Sequence, residues 1–213
     1  MKREFQLPET LETAINENLA QFDLTLSSMK RIASCIQWQS DFYIANPNQP
    51  TPWKDERAQI AQWAYYLPLN FLRNLSVLTE LKAHIPLSSF EGALDYGAGY
   101  AASSWALREL GFKGKISLYD QSPIDRKVTS ATNSEIIHKI DPHEFKNQLA
   151  IFSYSLTEIE ARNTLMKQFP YLVILEPSTQ KEGRRLSETR QFLIDNDYQS
   201  KRTVPKTAKI WLV

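Results

Sequence analysis

The feature that most constrains this chain is a short apolar run, Ala93-Leu94-Asp95-Tyr96, that breaks at Gly97-Ala98-Gly99 and passes into Ala101, Ala102 and Ser103. Gly97, Gly99 and Ala102 fit the spacing G-x-G-x-x-G/A. The first glycine of such a pattern permits a tight turn out of a strand, and the second lets bare backbone approach a ligand. The small third residue lets the next helix sit close to the sheet. Alone the pattern is weak. Placed after an apolar strand and before a helix, it predicts a strand–turn–helix unit that cradles a nucleotide-like ligand. The next apolar run, Lys115–Tyr119, ends in Asp120, roughly twenty residues past the turn, where a carboxylate hydrogen-bonds a ribose diol.

From Phe90 onward short apolar runs alternate with helical stretches. Strands are expected at Ala93–Tyr96, Lys115–Tyr119, Glu135–Ile140, Leu149–Tyr154 and Tyr171–Leu175, with helices at Ser103–Leu110, Ile159–Phe169 and Gly183–Asn196. Strands separated by helices predict an α/β, Rossmann-like domain with a mostly parallel sheet. Two last runs, Tyr198–Val204 and Lys209–Val213, are expected to close it to seven strands as an antiparallel C-terminal edge hairpin. Before Phe90 the pattern is helical. Leu11, Ile15, Leu19, Phe22, Leu26, Met29, Ile32 and Ile36 recur mostly at three or four residues. The proline-rich stretch 46–52 breaks the helix, and a second helical block then runs to about His84, divided or kinked at Pro68. The expected organisation is a helical N-terminal segment, 1–88, ahead of a ligand-binding domain, 89–213.

An acidic residue two places before the first glycine separates the candidate ligands. Dinucleotide sites need room for a pyrophosphate, which Asp95 would repel. S-adenosyl-L-methionine carries a cationic sulfonium, which a carboxylate favours. The chain also lacks room for the separate substrate domain typical of dehydrogenases. The expected cofactor is therefore S-adenosyl-L-methionine, held by Asp95, Tyr96, Gly97, Ala98, Gly99, Asp120 and Gln121, with Asp141 near the adenine. A helix or turn cap is the alternative role for Asp120, and a simple Asp-Pro turn for Asp141.

Composition sets outer bounds. Hydrophobic residues make up 42% and charged residues 23%, as in ordinary globular chains, and no run of about eighteen apolar residues suggests a membrane span. The one cysteine, Cys35, excludes an internal disulfide and any multi-cysteine metal or iron–sulfur site, and suits a reducing, cytoplasmic location. His84, His138 and His143 show no metal-ligand spacing, so no metal is expected. From Lys181 onward eight Lys/Arg face four Asp/Glu, so a near-neutral chain has a basic tail. That tail is either a solvated face or a patch that meets phosphates.

Several segments form a recognisable series: Ala64-Tyr65-Tyr66-Leu67-Pro68-Leu69-Asn70-Phe71, the glycine turn, Tyr119-Asp120-Gln121-Ser122, Ser153-Tyr154-Ser155-Leu156-Thr157-Glu158-Ile159, and Leu172-Val173-Ile174-Leu175-Glu176-Pro177-Ser178-Thr179 followed by Gly183-Arg184-Arg185 and Arg190. The series resembles the methyltransferase-like family associated with the mitochondrial and bacterial small ribosomal subunit. The resemblance implies a class I S-adenosyl-L-methionine-dependent methyltransferase fold and work on, or assembly of, the small subunit and its ribosomal RNA. It places Ser153 and Tyr154 beside the methyl group, with Glu176 and Pro177 at the neighbouring strand end. Members of that family often carry cluster-binding cysteines near the C-terminus, and stretch 202–211 here has none.

Methyl transfer from a sulfonium demands in-line alignment more than acid–base power. The expected fourth-strand exit reads Ser153-Tyr154-Ser155-Leu156, not the Asn/Asp-Pro-Pro-Tyr of amino-methylating nucleic-acid enzymes, and Cys35 is in the wrong segment to serve a carbon-5 pyrimidine enzyme. Tyr154 is the candidate catalytic residue, by stacking on a base or touching the methyl group, or else a half-buried strand-end aromatic. Glu158 fits the first turn of a helix better than a proton-transfer role. Tyr65 and Tyr66 suit packing more than closure over a cofactor. The expected function is methylation of small-subunit ribosomal RNA. The alternatives are a non-catalytic assembly or RNA-binding protein on the same fold, and a small-molecule or protein methyltransferase.

Overall fold

The computed structural model describes residues 6–46, 49–124, 126–145, 147–156, 159, 162–177, 179–200 and 209–212. Contacts divide the chain into two units, Met1–Arg73 and Asn74–Val213.

The first unit holds α1 (Glu9–Leu19), α2 (Met29–Ala45), α3 (Glu56–Ala61) and the start of α4 (Leu67–His84). Pro8 precedes α1 with the fixed φ that suits a helix entrance, and Glu9 and Glu12 in the first turn favour the helix dipole. The helical block expected over 8–45 is interrupted. Asp23 takes a left-handed φ of 56°, and the Leu24 amide returns to the Leu19 carbonyl at 3.1 Å. The Thr25 amide then donates to the Ser28 hydroxyl at 3.1 Å, so short polar side chains compete with the helical ladder where periodicity alone would carry it through. Asp55 caps α3, accepting the Arg57 amide at 2.9 Å. Pro68 does not end the second block. A π-helical turn, Gln62–Tyr66, joins α3 to α4, and its wider winding accommodates the hydrogen bond that proline cannot donate. Leu11, Ile15, Leu19, Ile32, Ile60 and Trp63 are buried, as the helical spacing predicts.

The division between the two units falls inside α4, and the later part of that helix bonds to other residues of the sheet-bearing unit. Asn74 donates to Ser153, and the Lys82 ammonium donates to the Leu110 carbonyl at 3.0 Å.

The second unit is a parallel α/β sheet. Its strands are β1 (Gly92–Tyr96), β2 (Lys115–Tyr119), β3 (Glu135–Ile136), β4 (Gln148–Ser153), β5 (Tyr171–Leu175), β6 (Gln199–Ser200) and β7 (Lys209–Leu212). Between them run α5 (Ala102–Glu109), α6 (Arg126–Thr132), α7 (Arg162–Met166) and α8 (Gln180–Ile194). The order across the sheet is β3-β2-β1-β4-β5-β7-β6, and every pairing is parallel. Five strands of four to six residues carry the sheet, while β3 and β6 add two residues each.

This corrects two expectations. The sheet has five full strands instead of seven, the run Glu135–Ile140 shrinking to Glu135–Ile136. The antiparallel edge hairpin is not formed either, since Gln199 pairs with Lys209 and Ser200 with Ile210 in parallel register. The hairpin expectation followed the antiparallel edge strands common in α/β sheets, whereas both pairings of β7 here are parallel. Residues 201–208 between them, and Val213, lie outside the described residues.

β1 is buried along its whole length. Its even-numbered side chains, Leu94 and Tyr96, join Ala150, Phe152, Leu172 and Ile174 in one core layer closed by Met166, Phe169 and Leu193. Asp95, between them, must point to the opposite face of the sheet. Thr179 caps α8 by accepting the Glu182 amide at 3.2 Å, which starts that helix three residues earlier than its apolar pattern suggests. No helix among the described residues is long and apolar enough to cross a membrane.

Candidate cofactor site

β1 lies between β2 and β4, so the chain builds outward in one direction through β2 and β3 and returns to start the other half at β4. The crevice at the carboxyl ends of β1 and β4 is the switch point at which open parallel sheets take ligands. Register puts the exits level: Tyr96 pairs with Tyr119 and with Phe152, and Phe152 pairs with Ile174. The residues just beyond, Gly97, Asp120, Ser153 and Leu175, therefore share one edge, and Glu176 follows Leu175.

The glycine turn is bound to the β2 exit. The amides of Gly97 and Ala98 donate to the Tyr119 carbonyl at 2.8 and 3.1 Å. The Gly99 amide donates to Asp120 Oδ2 at 2.8 Å, and Asp120 Oδ1 accepts the Ser122 amide at 2.8 Å. Gly97 and Gly99 take φ of 69° and 51°, which side chains rarely tolerate. Gly97 is also sterically required, because a Cβ there would lie 2.4 Å from Ser155 Cβ. Ala101 adopts the left-handed region as well, at φ 57° and ψ 42°. It is held there by its amide on the Ala98 carbonyl at 2.6 Å and by the Trp105 amide on its own carbonyl at 2.9 Å.

Asp95 is 2% exposed. Its Oδ2 accepts the Ser104 amide at 3.2 Å and the Ser104 hydroxyl at 2.7 Å. Burial pushes its carboxyl up to about 6. The hydroxyls of Ser103 and Ser104 and the Ser104 amide pull it back, and the Asp120 charge adds slightly to the rise. Asp95 therefore anchors the first turn of α5 to β1, and any influence on a ligand is exerted through its charge.

The exit of β4 is pinned by four separate partners. Ser153 Oγ accepts Asn74 Nδ2 at 2.9 Å. Tyr154, at a left-handed φ of 61°, donates its amide to the Leu175 carbonyl at 2.9 Å. The Ser155 hydroxyl donates to the Tyr96 carbonyl at 2.8 Å. The Leu156 amide donates to Glu176 Oε1 at 2.8 Å, with Glu176 only 8% exposed. A non-glycine residue held at positive φ stores about 1–3 kcal/mol of strain, so this loop is over-determined around Tyr154.

The sequence-predicted residues divide accordingly. Gly97, Ala98, Gly99 and Asp120 come together at one edge, with Ser153 and Tyr154 across the switch point. The Tyr96 side chain turns into the core, 4.9 Å from the Tyr119 ring and 5.0 Å from Phe152, and contributes only backbone at the edge. Gln121 and Asp141 are exposed, and the Asp141 carbonyl receives the Glu144 amide at 3.0 Å. Tyr65 and Tyr66 belong to the first unit and pack edge-to-face at 5.2 Å. Glu158 and Ser178 lie outside the described residues. Sequence reasoning missed Ser104, Ser155 and Asn74. Asn74 left a signal: it occupies a core position of the helical row Phe71, Leu75 and Leu78, where an amide is out of place unless bonded.

A bare-backbone turn beside a half-buried carboxylate, with an anion buried behind it, suits a ribose diol joined to a cationic sulfonium. Asp120 spends one acceptor site per oxygen on backbone amides and keeps others for hydroxyl donors.

No protein-family profile matches the chain, and no curated protein matches it. Among solved structures it is similar to a D-mandelate dehydrogenase from Rhodotorula graminis at 14% identity and a TM-score of 0.35. That comparison covers 96% of this chain and 56% of the dehydrogenase, so the chain spans little more than half its length. Likeness at that level carries no argument about activity.

Proposed function

We propose that this protein is an S-adenosyl-L-methionine-dependent methyltransferase acting on RNA of the small ribosomal subunit. The observation that carries the reading is the direct bond between the Gly99 amide and the Asp120 carboxylate, which joins the glycine turn of β1 to the acid of β2 at the switch point. In this reading Asp120 takes the ribose hydroxyls, the bare Gly97–Gly99 backbone lies along the ligand, and Asp95 supplies negative charge behind the turn. Bound S-adenosyl-L-methionine supplies an electrophilic methyl group. The chain's contribution is alignment, with Ser153 and Tyr154 at the rigid β4 exit beside the acceptor. The ribosomal RNA target rests on the sequence resemblance and on exposed Lys181 and Arg184 near the start of α8, which follows β5 at the same sheet edge.

One observation favours the second reading, a non-catalytic assembly or RNA-binding protein on the same fold. Glu176, an acid at the neighbouring strand end, is committed to the Leu156 amide and so serves the loop's structure. Incubating the protein with methyl-labelled S-adenosyl-L-methionine and small subunits, bare ribosomal RNA or cell extract separates the readings. Label in RNA supports the enzyme. Cofactor binding with no label in any acceptor supports the non-catalytic protein, and label in a small molecule or a protein alone moves the substrate class.

A further inference from the structure

Of the large apolar side chains among the described residues, Met29 and Ile44 are the most exposed, at 71% and 77%, and both stand on α2. Neither sits on a frayed end. The helix runs unbroken from Met29 to Ala45, and Asn46 closes it by donating its amide and its side-chain Nδ2 to the Phe42 carbonyl, each at 2.9 Å. An isoleucine at a solvated helix position gains no burial and has a lower helix propensity than straight-chain residues, so local structure does not favour Ile44. At about 100° per residue, Ile36, Met29, Ser40, Ala33 and Ile44 fall within an arc of about 80° and run about 22 Å along the axis. Ala33 is exposed, and Ile36 and Ser40 are half-buried. These five make an apolar or small stripe beside the face on which Ile32, Cys35 and Gln39 are buried.

The stripe complements itself when reversed. Turned end for end against a second α2, Met29 meets Ile44, Ala33 meets Ser40, and Ile36 lies at the centre. A shallow, open depression at the start of α2, lined by Ser27, Ser28, Met29, Lys30 and Arg31, lies where the opposing Ile44 would seat. The charges select this direction. Lys30 and Asp41 stand on the same flank of the stripe, and among the described residues neither is in an ion pair. Asp41 accepts only the Gln37 side-chain amide, at 2.8 Å, which leaves its charge unbalanced. In an antiparallel pair related by a two-fold axis, that flank of both helices lies on one side. Each Lys30 then comes level, to about 3 Å along the axis, with Asp41 of the other copy. In a parallel pair the flanks lie on opposite sides and neither charge is met. We propose that the outer stripe of α2 is the contact through which two copies of this chain associate, antiparallel. The contact lies wholly within the first unit and is independent of the cofactor reading.

Sedimentation velocity of the full chain, from low micromolar to near-millimolar concentration, tests the proposal. The wild type is expected to pass reversibly from one chain to two with a Kd of about 10–100 µM, since one helix pair is at the small end of specific interfaces. Ile44→Glu changes an exposed residue, so circular dichroism should show the fold intact, and it is expected to abolish the dimer. Lys30→Asp is expected to weaken association about tenfold, because both rim pairs turn repulsive. Adding Asp41→Lys to Lys30→Asp reverses both pairs and is expected to restore it. That restoration separates the antiparallel contact from unspecific adhesion of exposed apolar side chains. Three results overturn the proposal: a wild type that stays monomeric throughout, which would leave the stripe to a different protein; an Ile44→Glu protein that dimerises as the wild type does; or a charge-swapped double variant no better than Lys30→Asp alone.

Discussion

The Asp120 carboxylate accepts the Gly99 amide through one oxygen and the Ser122 amide through the other, each at 2.8 Å, so one side chain closes the turn that leaves β1 onto the turn that leaves β2. Both turns are shaped before any ligand arrives. Asp120→Asn leaves a single acceptor oxygen for two backbone donors. It is expected to lower unfolding stability by about 1–2 kcal/mol, the range for leaving one such group unpaired, as read from urea titrations.

Asp95 makes stability depend on pH in an unusual direction. Its folded carboxyl titrates at about 6 against an ordinary 3.8, so between those values the folded state keeps a proton that the unfolded chain has released. Stability from this group is therefore greatest at low pH and falls as pH rises through about 4 to 6. Asp95→Asn retains an acceptor for Ser104 and is expected to flatten this slope and stabilise the protein at pH 7 by up to about 3 kcal/mol. Thermal unfolding of the two proteins across pH 4–8 measures it.

The same group predicts a ligand effect. A sulfonium near Asp95 favours the ionised carboxylate, so the affinity ratio of S-adenosylmethionine to its neutral thioether counterpart, S-adenosylhomocysteine, is expected to rise between about pH 5 and 7. Asp95→Asn should make that ratio independent of pH. Paired calorimetric titrations read both.

Gly97 is required twice, by its φ of 69° and by the 2.4 Å approach its Cβ would make to Ser155 Cβ. Gly97→Ala is expected to cost about 2–4 kcal/mol, from left-handed strain and overpacking together. Ser155→Gly in the same chain relieves the overpacking but not the strain, so chemical denaturation should show partial recovery.

Arg108 is a clamp beneath the site. Its guanidinium donates to the carbonyls of Thr132, Phe112, Gly114 and Asn133 at 2.6–2.9 Å, tying the end of α5 to the approach to β2 and the end of α6. Arg108→Lys keeps the charge but not the planar fork, and is expected to lose most of the stability that Arg108→Ala loses, about 2 kcal/mol or more. Melting of the three proteins side by side tests the point.

Much of this was legible in the sequence where local chemistry decides. Lys115–Tyr119 and Tyr171–Leu175 form strands over their expected spans, because β-rich apolar runs bounded by turn residues leave little choice. The glycine turn and Asp120 were legible because φ demands and spacing are written in residue types. The Asn74–Ser153 bond was not, because it joins residues 79 apart and depends on how α4 lies beside β4. Nor was the commitment of Asp95 to Ser104, since a serine two residues into a helix reads equally as packing. The direction of β7 escaped for a related reason: pairing sense follows from the path of the connection, which the apolar pattern does not encode.

The most direct test of the central claim is calorimetric binding of S-adenosylhomocysteine to the wild type and to Asp120→Ala. A one-to-one complex is expected in the wild type, with a loss of about 10- to 100-fold in the variant, the worth of charge-assisted hydrogen bonds to the ribose. A wild-type protein without affinity for the ligand, or an Asp120→Ala protein that is folded and binds as tightly as the wild type, would contradict it.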